Sequence, residues 1–402
     1  MKALFIDASI TELKKNYLSI AKNLAQKDKE FKAIFLNVAT ASSVVQELEE
    51  RAIQDLKGCD FITLVRFLSF NRMKVDSFLN EHQPDFLFID AMNISNELWI
   101  ALCHKKKIRV YLYPHGFEVE NLYYKSSQII GKIWKVLRYC YTVKNIAAIL
   151  HLPYIKTLSQ YIIFIRKGSP LKGTYLDNTQ LYPDTVFVYS DYYKGFWERK
   201  YGIKDVEYVQ IMPYDFAMVE DILAKPEEDA ICYITQTLCE DGRYSYEQFE
   251  QLLVSYRKIA TSVNKLIIKL HPRVDSSLYE KVFDGLSNVE IRRDFPRCKV
   301  YLTHYSSMVY TGVLASGNVI VHELSGQPTA DVFKDVASKV VHTIDEIVYE
   351  YNELRSKEEM SFEGRCQRIS KYASYTGVSP HEVIYKTIYK NDSLCTASVS
   401  SD

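Results

Sequence analysis

The chain has 402 residues, 47% of them apolar, and its 50 lysines and arginines are balanced by 50 aspartates and glutamates. Such apolar content supports one or two cores and excludes disorder as a global description; at roughly 100–200 residues per domain, two domains are expected. A net charge of zero argues against a protein wrapped whole on nucleic acid, which would be basic overall.

The first apolar run, after Lys2, is broken by Asp7. It falls short of the ~7–15 apolar residues of a signal peptide, so a buried first strand and a cytoplasmic chain are expected. Short runs rich in Val, Ile, Phe and Tyr predict strands at 2–6, 32–36, 86–89, 109–113, 185–189 and 207–211. Helical patterns at 12–27 and 40–57 lie between them. Pro213 and Pro226 punctuate a segment without a strand pattern, and 213–228 is read as a linker. Beyond it, strands are predicted at 230–235, 265–270, 289–291, 300–303, 319–322 and 339–342. Helices are predicted at 246–262, 276–286, 306–315, 329–336 and 344–355, with another from 363 onward. A Ser-rich tail at 391–402 is expected to be disordered. This alternation predicts α/β architecture: Rossmann-like domains at 1–212 and 229–390, each a parallel sheet with helices on both faces, and a cleft between them. Eight irregularly spaced cysteines form no C-x-x-C pair and no zinc-ligand pattern, so reduced thiols are expected.

Ligands bind at the carboxyl ends of strands in such sheets, and the polar motifs fall just after predicted strands. Glu240-Asp241-Gly242 puts two adjacent carboxylates beside a glycine, which suits a cleft-facing base whose pKa crowding could raise. The same tripeptide is also common as a solvated acidic turn. Lys269-Leu270-His271-Pro272-Arg273 sets a proline-locked histidine between two cations, three donors for a phosphate. His304-Tyr305-Ser306-Ser307 opens a predicted helix, where hydroxyls and free N–H groups can cap the helix, hold an anion, or both. His115 and Gly116, after another strand, are candidates for contact with a second substrate or for a simple turn. Glu323 follows a strand and is a weaker candidate for a ribose or base contact. Asp7 and Asp90 also sit at strand ends, where Asp7 could cap the sheet. The chain has no P-loop, no G-x-G-x-x-G, no G-x-S-x-G and no D-x-D pair, so kinase, dehydrogenase and hydrolase readings lose their usual marks.

The ordered set E-D-G, H-P and S-S over about 230–323 resembles the motif set of bacterial sialyltransferases, including the polysialyltransferase and lipooligosaccharide sialyltransferase families. The resemblance implies a GT-B fold, a CMP-sialic acid donor, inversion at the anomeric centre and no metal or other cofactor. It makes the first domain the acceptor domain and the second the donor domain. Glu240 or Asp241 would deprotonate the acceptor hydroxyl, and His271 would stabilise the departing phosphate. Gly242, Lys269, Pro272, Arg273, Ser306, Ser307 and Glu323 would line the donor site, and His115 and Gly116 the acceptor site. Transferases using CMP-Kdo, a CDP-polyol or a UDP-sugar are the near alternatives. A non-catalytic glycan-binding or assembly protein is the further one.

Charge is unevenly spread. From 121 to 175 there is no Asp or Glu but nine cations: Lys125, Lys132, Lys135, Arg138, Lys144, Lys156, Arg166, Lys167 and Lys172. Aliphatic and aromatic residues lie between them, which suits a helix resting on an anionic membrane or a groove for an acidic glycan. A helical insertion with a solvated basic face is the alternative. No spanning helix is expected, because Pro153 and Lys156 interrupt the best window. The expected setting is the inner face of the cell membrane, with a glycan or glycolipid acceptor and no nucleic acid.

Overall fold

The computed structural model describes residues 1–399 apart from 8, 39–45, 115, 120–128, 167–177, 241 and 327; at 46–48, 129–135, 163–166 and 391–399 only the helical backbone is described. Two parallel sheets organise the chain. The first holds β1 (Lys2–Asp7), β2 (Lys32–Asn37), β3 (Ile62–Arg66), β4 (Phe86–Ile89), β5 (Arg109–Leu112), β6 (Thr185–Val188) and β7 (Glu207–Gln210), in the order β3-β2-β1-β4-β5-β6-β7. The second holds β8 (Glu228–Ile234), β9 (Leu266–Lys269), β10 (Val289–Arg292), β11 (Cys298–Thr303), β12 (Val319–His322) and β13 (Lys339–Val341), in the order β10-β9-β8-β11-β12-β13. Each sheet therefore reverses its winding beside its first strand, at β1/β4 and at β8/β11. That is the doubly wound, Rossmann-type arrangement expected from the strand–helix alternation.

Burial explains which strands were legible. Ala3–Ile6 of β1 and Phe86–Ile89 of β4 are buried without a break, because helices cover both faces. β3 was missed: it is a half-exposed edge strand reading Ile-Thr-Leu-Val-Arg, without the apolar run that marks the others. Helices start where side chains cap them. Ser9 accepts the Glu12 N–H at 3.1 Å and opens Ile10–Lys27, which buries Ile10, Leu13, Tyr17, Ile20, Ala21 and Leu24 on one face. Reciprocal capping boxes, Ser245 with Gln248 and Thr343 with Glu346, open Tyr246–Ser262 and Ile344–Arg355.

The chain divides into two compact units: Met1–Glu118, Leu122–Ile211 and Val378–Asp402 form the first, and Val119–Asn121 with Met212–Gly377 the second. The expected boundaries differ at both ends of the second domain. Segment 213–228 is no bare linker: it carries short helical turns at Tyr214–Met218 and Val219–Leu223, with Phe216, Val219 and Ile222 buried, and belongs to the second unit. The last helix, Pro380–Val399, belongs to the first unit and occupies most of the tail expected to be disordered. It buries Ile384 and Ile388. The Glu382 carboxylate pairs with Lys27, His381 Nε2 lies 2.9 Å from Ser19 Oγ, and the Lys27 ammonium sits 4.0 Å from the Tyr385 ring centroid.

The basic block forms two helices, Ile129–Ile149 and Tyr154–Arg166, in the first unit. Val143, Ile146, Ala147 and Tyr161 are buried. Among the block's cations, Arg138, Lys144 and Lys156 have described side chains; the other six lie outside the described side chains. The second helix is tied down by an acid. The Tyr161 hydroxyl donates to Glu97 Oε2 at 2.9 Å, and Glu97 is wholly buried on Ile94–Lys105.

Burial raises the Glu97 pKa well above its ordinary value of 4.5, so the folded chain holds it protonated. The stability this confers is complete below pH 4.5 and is lost as the pH rises through the folded pKa. Glu97→Gln keeps the acceptor for Tyr161 and removes the ionisation. The variant is expected to melt about 2–6 °C higher than the parent at pH 8, with the gain shrinking toward pH 5. Melting curves across that range check it; an unchanged or lower Tm at pH 8 contradicts it.

Candidate functional site

In the second unit the predicted motifs all emerge at the carboxyl edge of the sheet, around the reversal at β8/β11. β8 runs into Thr235-Gln236-Thr237 and a turn whose Gly242 has φ +67°, the left-handed region that a side chain would strain. The turn is closed by the Gly242 N–H on Cys239 O and by the Arg243 and Tyr244 N–H groups on Leu238 O. Glu240 is exposed on this turn; Asp241 lies outside the described residues.

The His-Pro turn after β9 is bound to the end of β8. The His271 N–H donates to Thr235 Oγ1 at 2.7 Å, and Arg273 Nη2 donates to Thr237 Oγ1 at 3.2 Å. The Arg273 N–H donates to His271 Nδ1 at 3.1 Å, which fixes the ring and leaves Nε2 as the protonated nitrogen of the neutral tautomer. Arg293 clamps the same turn from outside, donating to the carbonyls of His271, Pro272 and Val274 at 3.2–3.4 Å. Lys269, at the strand tip, is half-buried, and that burial lowers its pKa. The Arg243 guanidinium lies 3.9 Å from the Tyr305 ring centroid and ties the acidic turn to the loop after β11. Three motifs separated in sequence thus meet at one edge.

Ser306 behaves first as a cap. The Met308 N–H donates to Ser306 Oγ at 3.2 Å, and the Val309 and Tyr310 N–H groups bond to the Ser306 and Ser307 carbonyls. The start of Met308–Ser316 is therefore more fully satisfied than the free N–H groups expected from sequence. Ser307 Oγ donates to Asp215 Oδ2 at 3.5 Å, so an anion arriving there would compete with that carboxylate. Glu323 braces its own loop: it accepts the Thr329 N–H at 3.0 Å and lies 3.5 Å from Lys334 Nζ.

His304, on the same loop, has the opposite character from His271. It is fully buried: Nδ1 donates to His322 O at 2.9 Å and Nε2 accepts from the Tyr233 hydroxyl at 3.0 Å. The Tyr256 hydroxyl serves His322 Nδ1 at 2.7 Å. Burial pushes His304 down to about 3 and also lowers His322. Both rings are neutral packing elements beneath the edge.

In the first unit, His115 lies outside the described residues, and Gly116 turns the chain at φ +73°. Pro114 O accepts from Tyr189, and Phe117 packs on Tyr189 and Tyr193, so the turn is anchored by aromatics. The structure adds a group that strand patterns alone did not join. Asp7 ends β1 and Asp90 follows β4, and these neighbouring strands bring the two carboxylates together with Glu118. Burial, then the Asp90 charge, raises Asp7 to about 8; burial raises Asp90 to about 6. Their positions at strand ends were visible in sequence, but their pairing was not. Two shallow cavities of about 450 and 470 Å³ meet at Lys107, by the amino ends of the strands, away from this chemistry.

Among the described residues no group of three or more His, Cys, Asp or Glu could hold a metal ion, and no helix is long and apolar enough to cross a membrane. No family model and no curated protein matches the chain. Solved structures do. A UDP-N-acetylglucosamine 2-epimerase is 9% identical with a TM-score of 0.51, over 96% of this chain and 94% of its own. The Methanocaldococcus jannaschii UDP-GlcNAc 2-epimerase, in complex with UDP-GlcNAc and UDP, is 12% identical with a TM-score of 0.51, over 97% and 100%. The glycosyltransferase VinC, in complex with dTDP, is 10% identical with a TM-score of 0.52, over 97% and 99%. The chain has the GT-B fold, with two Rossmann-like domains.

The buried histidine pair has a pH signature. Stability held by neutral His304 and His322 is present above the ordinary histidine value of 6.5 and is lost as the pH falls through their lowered folded values, about 3 for His304. Histidine ring NMR should show the His304 ring still neutral at pH 5 and the His322 midpoint displaced below the ordinary histidine value. A midpoint near 6.5 for either would contradict their burial.

Proposed function

We propose that this chain is a glycosyltransferase that binds a nucleotide sugar at the carboxyl edge of its second sheet and passes the sugar to a hydroxyl acceptor. One observation carries the reading: the acidic turn, the His-Pro turn and the Ser-Ser loop converge around the β8/β11 reversal, tied together by Thr235, Thr237 and Arg243. The motif order makes CMP-sialic acid the donor of choice. The acceptor hydroxyl gives its proton to Glu240 or Asp241 as its oxygen bonds to the anomeric carbon. The bond from that carbon to the phosphate oxygen breaks, its electron pair leaves on CMP, and the centre inverts. His271, with Nε2 protonated, donates to the departing phosphate; Arg273 and Lys269 add positive charge.

A UDP-sugar is the second reading. It is favoured by the fold neighbours, whose own complexes hold UDP-GlcNAc and UDP in one case and dTDP in another. Thermal shift with CMP, CMP-sialic acid, CMP-Kdo, CDP-glycerol, UDP-GlcNAc and dTDP separates the readings. Stabilisation by cytidine nucleotides is expected. Stabilisation by UDP-GlcNAc alone moves the donor to uridine, and no shift with any of them removes nucleotide-sugar transfer altogether. With the active donor, His271→Ala is expected to lower kcat by about 10²–10³. Full transfer by both Glu240→Ala and Asp241→Ala would dismiss the acidic turn as the base.

The helices Ile129–Ile149 and Tyr154–Arg166 support peripheral contact with an anionic membrane. Ile155, Val136 and Leu137 are 81%, 60% and 54% exposed, beside Arg138, Lys144 and Lys156 and with no acid between 121 and 175. Val136→Asp with Ile155→Asp is expected to cut flotation on phosphatidylglycerol vesicles about tenfold. Undiminished flotation, or equal flotation on neutral lipid, would refute this contact.

A further inference from the structure

The amino edge of the first sheet carries charged groups that the proposed donor chemistry does not use. Loops entering three neighbouring strands there, β5, β6 and β7, line a cavity of about 450 Å³, and a second of about 470 Å³ meets it at Lys107. Both fall within the roughly 300–1,000 Å³ of small-molecule sites. The backbone is strained at the same place. Lys107 at φ +61° and Asp205 at φ +56° both line the first cavity, in a region that side chains rarely adopt. Such strain gathers where function needs the group it presents. Charge is also left over. Lys107 and Lys204 line the cavity, and their ammonium groups have no hydrogen-bond or ion-pair partner among the described residues. Their neighbour Lys106 is committed, with Nζ 2.8 Å from Asp76 and donating to Asn80 at 2.5 Å. The helix ends do not need the two lysines. His104 and Lys105 already stand in the last turn of Ile94–Lys105, and Arg199 and Lys200 in that of Asp191–Tyr201, where they complement the helix dipoles. Arg109 adds a guanidinium to the lining. Of the two acids there, Asp184 is turned to the sheet: its Oδ2 accepts the Val110 N–H at 2.7 Å and lies 3.3 Å from His104 Nε2. Asp205 is exposed, and the buried residues Ile108 and Pro183 give the cavity an apolar wall.

We propose that this cavity binds a sugar phosphate. Lys107, Lys204 and Arg109 take the phosphate, the Asp205 carboxylate accepts from sugar hydroxyls, and the ring lies against Ile108 and Pro183. A bare anion uses only the cations and meets Asp205 as like charge. A neutral sugar leaves both ammonium groups without a partner. The site lies at the edge of the sheet opposite the carboxyl ends of its strands, and it does not depend on the transferase reading.

Isothermal titration of the full chain with glucose 6-phosphate and N-acetylglucosamine 6-phosphate tests this, with glucose and inorganic phosphate beside them. At least one sugar phosphate is expected to bind with Kd below about 1 mM, and glucose and inorganic phosphate about tenfold more weakly or worse. Lys204→Ala and Lys107→Gly are each expected to weaken that binding about tenfold. Lys204 is exposed, and glycine takes the Lys107 backbone conformation without strain, so neither variant should melt below the parent and their loss of binding is not unfolding. His271→Ala should bind the sugar phosphate as tightly as the parent. Binding of neither sugar phosphate, equally tight binding of glucose or inorganic phosphate, or undiminished binding by either lysine variant overturns the site. Loss of binding in His271→Ala moves the ligand to the second unit and overturns it too.

Discussion

A parallel sheet covered on both faces has few places where polar groups can meet a ligand. Its strands are apolar throughout, its backbone is consumed by neighbouring strands, and its faces are closed by helices. Polar side chains can gather only where strands end, and the loops leave room only where the chain turns to opposite sides of the sheet. Both units of this protein obey that constraint in the same way. The first strand lies inside the sheet, the second and third are laid to one side, and the fourth goes to the other. The polar side chains described in each unit gather at that reversal.

The two edges are built differently. In the second unit, side chains hold loops: Thr235 and Thr237 take the His-Pro turn, Arg293 grips its carbonyls, and Arg243 bridges to Tyr305. Beneath them, both ring nitrogens of His304 and His322 have hydrogen-bond partners. Those rings are paired packing elements, a platform rather than a reagent. In the first unit, carboxylates crowd each other and a tyrosine hydroxyl is left over. Such arrangements cost stability, and they persist where function needs them.

What the sequence revealed followed from locality. The strands that seat the motifs are unbroken apolar runs ending abruptly in polar residues, so the positions of Glu240, His271 and Ser306 at strand tips were readable. The different fates of His271 and His304 were not. Each follows a strand, and only the neighbouring strand and the helix Tyr246–Ser262 put Tyr233 and Tyr256 against one ring and leave the other at the edge. Asp7 and Asp90 were likewise visible as strand ends, but their encounter depends on β1 lying beside β4, a pairing across some eighty residues. β3 escaped because an edge strand needs no apolar run. The last helix escaped as well: the helix expected from 363 onward is Phe362–Ile369, and the Ser-rich end of Pro380–Val399 reads as a tail until the surface it packs on is known.

That last helix makes the second unit an insertion within the first. Residues 380–399 complete the surface formed by Ile10–Lys27, yet all of 212–377 lies between them in the chain. During synthesis Lys27 and Ser19 of the first unit's opening helix therefore lack their partners Glu382 and His381 until the whole second unit has been made. The second unit has no such debt and can close on its own strands as they emerge. The order of maturation is thus the reverse of the order of translation, and the part of the protein made first is the part finished last.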